Sequence, residues 1–93
     1  MKTTVIFRKD REGEIFALFP EVPADNYGRY CLAYQHVGQG CAADYVGCVR
    51  RSTPAKPNEY RELLTEVGNG FSTPLVVRKR ATPAMHEERR YGT

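Results

Sequence analysis

No apolar run in this 93-residue chain approaches the roughly 20 residues needed to cross a bilayer. The apolar opening Val5-Ile6-Phe7 meets Arg8-Lys9-Asp10 too soon for a secretory leader. These absences lead us to expect a cytoplasmic protein with no membrane partner. Cysteine is also scarce: Cys31, Cys41 and Cys48 are odd in number and lack a C-x-x-C pair, which fits reduced thiols better than a disulfide framework or a structural zinc site. Neither G-x-S-x-G nor a cysteine-protease signature occurs, and G-x-G-x-x-G and G-x-x-x-x-G-K are missing too. No catalytic or cofactor motif is therefore complete. The expectation is a chain with no cofactor, more readily a binding module than an enzyme.

The formal charge of +3 is a mild excess that permits contact with nucleic acid without requiring it. It is local. Residues 31 to 57 carry three basic groups against one acidic, with Arg50-Arg51 at the centre, and a second cluster is Arg78-Lys79-Arg80. A hydrophobic content of 41% with 27% charged residues suits one small globular domain with little stability to spare.

Thr3 to Arg8 and Glu14 to Phe19 are β-rich segments around a turn at Asp10 to Gly13, the pattern of a hairpin. Alternation puts Val5 and Phe7 on one face with Ile6 opposite, then Ile15, Ala17 and Phe19 on one face with Phe16 and Leu18 on the other. Both faces are apolar, so each needs cover. Pro20-Glu21-Val22-Pro23 ends the second strand. Tyr30 to Gln35 reads as a third, with Tyr30, Leu32 and Tyr34 on one side and Cys31, Ala33 and Gln35 on the other.

Residues 41 to 51 are ambiguous. Cys41, Tyr45, Cys48 and Val49 have helical spacing, while Tyr45, Gly47 and Val49 alternate as on a strand; Ala42-Ala43-Asp44 favours a short helix at 42–50. The clearest helix runs over about 57–67, from Pro57 at its first turn through the stripe Tyr60, Leu63, Leu64 and Val67 to the breakers Gly68-Asn69-Gly70. Pro74 to Arg80 reads as a returning strand. The expected fold is thus α+β: an antiparallel sheet of about four strands, three before the main helix and one after it, in a single domain over 1–82. Residues 83–93, rich in charge pairs, are expected to be a flexible tail.

The segment Val5 to Pro23, with the turn Lys9-Asp10-Arg11-Glu12-Gly13 and the return Phe16-Ala17-Leu18-Phe19-Pro20-Glu21-Val22-Pro23, resembles the opening hairpin of the HicB-type antitoxin fold. That resemblance implies a reduced ribonuclease-H-like sheet with a helix. The Gly-Cys and the threonine-led, alanine-rich helix of that family do not follow Pro23, so toxin neutralisation is not carried over. Gln35-His36-Val37-Gly38-Gln39, Ala43-Asp44-Tyr45 and Arg50-Arg51-Ser52-Thr53-Pro54-Ala55 also look like segments of small uncharacterised bacterial proteins carried on mobile elements. That second resemblance implies a bacterial origin and no mechanism.

The residues with most chemistry lie around Gly38-Gln39-Gly40. His36 could act as a base oriented by Asp44, with Cys41 or Ser52 as nucleophile, in a small hydrolase; the plainer alternative has His36 and Gln39 bonding a loop while Asp44 caps a helix. Cys31, His36, Cys41 and Cys48 are the metal-ligand candidates, set against thiols buried in a core. Gln39, Arg50, Arg51, Arg78 and Arg80 are the anion or nucleic-acid candidates, with Tyr30, Tyr34 or Phe16 available for stacking. On a strand, charges at Arg78 and Arg80 would point away from Lys79 and protect an edge instead. The partners these readings allow are nucleic acid or another protein, with the chain a monomer or homodimer.

Overall fold

The computed structural model describes residues 2–35 and 39–91, with 39–41 described by their backbone alone. Strand β1 (Thr3–Lys9) and strand β2 (Ile15–Pro23) form the hairpin, in antiparallel register Ile6 to Leu18 and Lys9 to Ile15. The turn is built by Asp10. Its carbonyl accepts from Gly13 N–H at 3.1 Å, and its carboxylate accepts from the amides of Glu12 and Glu14, each at 2.9 Å. Gly13 has φ 85, a left-handed conformation that a side chain would strain.

Alternation decides both faces of this hairpin as expected. Val5, Phe7, Ala17 and Phe19 are buried with Leu63 and Val67 in one core, whereas Ile6, Phe16 and Leu18 join Cys31, Ala33 and Ala43 in a second. Strand β3 (Cys31–Gln35) extends the sheet antiparallel to β2 and splits its residues the same way, Cys31 and Ala33 into the second core and Leu32 and Tyr34 against the first.

The segment expected as a helix at 42–50 divides at Asp44. Gln39–Ala43 is strand β4, antiparallel to β3, and the helix α1 occupies only Tyr45–Arg50. The helical spacing holds from Tyr45 onward, where Tyr45, Cys48 and Val49 pack on the second core, whereas Cys41 falls on the strand before it and the alternation of Tyr45, Gly47 and Val49 lies within the helix. Two short strands complete a six-stranded sheet of order β4-β3-β2-β1-β5, with β6 also on β1. Strand β5 (Thr53–Pro54) pairs antiparallel with Arg8 and Lys9, while β6 (Leu75–Val77) pairs with Thr3 to Val5. The returning strand is therefore shorter than 74–80 and parallel to β1, an orientation the intervening helix allows by carrying the chain back to the same end.

Helix α2 (Pro57–Gly70) closes the first face. Glu59 caps its start by accepting from Lys56 N–H at 2.8 Å, and binds Lys9 of β1 in a 2.6 Å ion pair. That helix runs past the expected end at 67, and the chain leaves it where Phe71 stacks on Phe19 with centroids 4.7 Å apart.

Residues 83–91, expected as part of a flexible tail, form helix α3 (Pro83–Tyr91) against the second face of the sheet. Charge composition misleads here because Arg89 is only 5% exposed and is used for docking. Pairing of β2 with β3 is irregular between Phe19 and Pro23. Arg89 Nη1 donates to the Pro20 carbonyl in that irregularity at 2.8 Å, and Nε donates to the Gly28 carbonyl in the following loop at 2.8 Å. Gly28 has φ 69, and a Cβ there would come within 2.5 Å of the Arg89 carbonyl, so only glycine lets the loop approach α3. Arg89 Nη1 also donates to His86 Nδ1 at 2.7 Å, which holds that ring nitrogen unprotonated.

Two outcomes are expected from this packing. Leu63→Ala should lower unfolding stability by about 2–5 kcal/mol, seen as a lower urea midpoint, because the cavity would open under α2. Burial and the neighbouring Arg89 and Arg90 hold the His86 pKa below its ordinary value. The folded state thus binds its proton less readily than the unfolded chain. The contribution of α3 docking is complete above about pH 6.5 and is lost as pH falls through the lowered folded value. Hydrogen-exchange protection factors of α3 should therefore drop in mild acid, and the drop should disappear in His86→Gln.

Candidate functional site

Arg8 organises the end of the sheet that carries the hairpin turn. Alternation puts it on the same face as Ile6, where it is 7% exposed and reaches under the C-terminus of α1. Nε donates to Ser52 Oγ at 2.9 Å, and Nη2 donates to the carbonyls of Val49 at 2.9 Å and Ser52 at 2.7 Å. These carbonyls have no further turn of helix to bond, so a guanidinium fork is a suitable cap. Burial pulls the Arg8 pKa down from its usual value. Among the described residues no carboxylate pairs with it.

A groove opens above this buried cation. One lobe of about 210 Å³ is lined by Lys9, Asp10, Arg11, Arg50, Arg51, Ser52 and Thr53. The other, about 280 Å³, shares Asp10, Arg51 and Ser52 and continues over the apolar surface of Phe16, Ala33 and Cys48 to Asp44. Four cations from β1, the hairpin turn and the end of α1 thus meet around a carboxylate, Asp10, that is already engaged by turn amides. Lys9 is partly neutralised by Glu59, which leaves Arg11, Arg50 and Arg51 as the main anion-facing groups. Gly47 shapes the junction of the lobes. A Cβ there would lie 2.8 Å from Asp44 Oδ2 and 3.1 Å from Arg51 Nη1, so the absence of a side chain lets both groups lean over the helix.

Of the residues singled out by sequence, Arg50 and Arg51 enter the groove, whereas Arg78 lines a different hollow and Arg80 is exposed after β6 has ended. The four candidate arginines do not form one site. His36 lies outside the described residues, as do the side chains of Gln39 and Cys41, so the proposed base and thiol are not among the groups placed. Asp44 precedes α1 but makes no side-chain cap, and instead lines the groove.

Ser52 is committed to structure. Its hydroxyl donates to the Cys48 carbonyl at 2.6 Å while accepting from Arg8, which occupies the oxygen as donor and acceptor together. Cys31 is fully buried, and desolvation pushes its thiol up to about 11, so it remains protonated in an apolar core. Among the described residues no group of three or more His, Cys, Asp or Glu side chains is placed to hold a metal. Phe16 borders the groove, but Tyr34 faces α2 and donates to Glu66, and Tyr30 is exposed in the loop before β3.

Lys9, Arg11 and Arg8 were missed as site residues because their distance in sequence from Arg50 conceals the meeting. Arg8 carried one usable signal: it continues the Thr4, Ile6 alternation onto an inward face, where an arginine must find oxygen partners. Arg8→Met should cost about 1.5–3 kcal/mol in denaturant unfolding, since two carbonyls and the Ser52 hydroxyl would lose a charged donor. No described helix is long and apolar enough to cross a membrane. No protein-family model matches the chain, and no curated protein or solved structure is significantly similar to it.

Proposed function

We propose that this chain is a non-enzymatic binding module that contacts the phosphate backbone of nucleic acid through the groove at its hairpin end. The observation that carries this reading is the convergence of Lys9, Arg11, Arg50 and Arg51, from three separate segments, above the buried Arg8. Cations in such an arrangement gain affinity by releasing the counterions condensed on phosphates, and arginine forks suit phosphate oxygens. The adjoining surface of Phe16 and Cys48 gives an exposed base or sugar an apolar resting place, with the Asp44 carboxylate able to accept from an exocyclic amine. Of the hydrolase alternatives, the one with Ser52 as nucleophile has less support, because its hydroxyl is engaged by Arg8 and Cys48; the one with Cys41 rests on side chains outside the described residues.

A second reading rests on a different feature. Strand β4 ends the sheet with no further strand on its outer side among the described residues, and an edge of this kind accepts an added strand from a protein partner or a second copy. Light scattering across a concentration series distinguishes a stable dimer from a monomer.

The phosphate reading is tested by fluorescence anisotropy with mixed-sequence oligonucleotides over a salt series. Micromolar binding that weakens with salt is expected, and Arg50→Ala combined with Arg51→Ala should flatten the slope of log K against log salt by about 1.5. Absence of salt-sensitive association at micromolar protein would overturn it.

A further inference from the structure

A second hollow, unrelated to the groove, lies where the two short strands beside β1 fail to meet. Strand β6 leaves β1 after Val5, whose carbonyl accepts the Arg78 amide at 3.0 Å, and the β5 segment joins at Phe7, whose carbonyl accepts the Ala55 amide at 3.1 Å. The chain segments on either side diverge. Between them is a space of about 220 Å³ lined by Phe7, Pro54, Ala55, Pro57, Tyr60 and Val77, with Arg78 and Lys79. Phe7 belongs to the core under α2, so this hollow lies across the sheet from the groove floored by Phe16.

Its chemistry is unusual for a gap at a sheet edge. Phe7 and Tyr60 stack with centroids 4.4 Å apart and planes 10° from parallel, which makes a rigid aromatic wall. Pro54 and Pro57 contribute apolar rings and no amide N–H. Among the described residues the charged lining groups are cationic, and neither Arg78 nor Lys79 forms an ion pair or side-chain hydrogen bond with a described residue. The Tyr60 hydroxyl likewise has no partner among the described residues. An apolar wall beside cations, with no carboxylate among the described lining residues, is complementary to an apolar group that carries an anion.

We propose that this hollow is a binding site for a small aromatic monocarboxylate. The ring lies among the stacked pair and the prolines, and the carboxylate meets Arg78 and Lys79. The space is small, which restricts the ligand to about a single substituted ring. A nucleic-acid strand is a poor fit here because the two cations stand beside one small apolar hollow and do not follow an open track. The site operates independently of the groove.

Phenylacetate and its uncharged twin phenylacetamide test the proposal by titration into ¹⁵N-labelled full-length protein. Phenylacetate should give saturable shifts of the Ala55, Tyr60 and Val77 amides with a Kd on the order of 1 mM. Phenylacetamide should bind about fivefold more weakly. Arg78→Ala combined with Lys79→Ala changes exposed residues only and should bring the two ligands to the same weak affinity. Ala55→Trp should abolish the shifts by filling the space, with the double variant serving as the decisive measurement where the tryptophan disturbs folding. No saturable shift up to about 10 mM phenylacetate, equal affinity for the amide, or an unaltered preference in the double variant would each overturn the site.

Discussion

Two adjacent strands that are apolar on both faces govern the architecture. Val5 and Phe7 alternate with Ile6, and Ala17 and Phe19 with Phe16 and Leu18, so neither side of the hairpin can face water. A chain of this length has one good amphipathic helix, and α2 covers the first face by ordinary hydrophobic contact. The second face must be closed with poorer material. Helix α1 has six residues and α3 is dominated by charge, so apolar burial alone gives little to hold them.

Two buried arginines make up the difference. Arg8 reaches from β1 to the carbonyls that end α1, and Arg89 reaches from α3 to the carbonyls of Pro20 and Gly28. Each binds backbone oxygens at a break in regular structure, one set at a helix terminus and the other at an irregular strand and its loop. Burying a guanidinium costs solvation, and multiple charge-assisted hydrogen bonds offset it. This explains why the second face is charged at its margins and still closed. The candidate groove follows directly, because the arginine that anchors α1 also brings Arg50 and Arg51 beside Lys9 and Arg11.

Much of this was legible in local pattern. The hairpin, its turn, the allocation of Val5, Ile6 and Phe7 to opposite faces, the third strand and the stripe of α2 all follow from periods of two and 3.6 residues. The α+β class follows as well. Other features were illegible for identifiable reasons. Gln39–Ala43 consists of small and polar residues with little preference, so its pairing with β3 decides that it is a strand. Residues 83–91 look like a solvated tail until Arg89 has oxygens to bind. Arg78 and Arg80 are grouped with Arg50 and Arg51 by charge, yet Arg78 lies across the sheet from the groove.

By itself the sequence determined which residues must be inside, because alternation and the helical stripe are properties of neighbours along the chain. It also determined a mild positive charge and the absence of a complete catalytic motif. Only the tertiary structure decided which charges share a surface. Contacts such as Arg8 with Ser52 and Arg89 with Pro20 join residues 44 and 69 positions apart, and no local period encodes such a meeting. Those long-range hydrogen bonds exist because folding strands particular carbonyls away from water, and which carbonyls those are depends on how the elements pack.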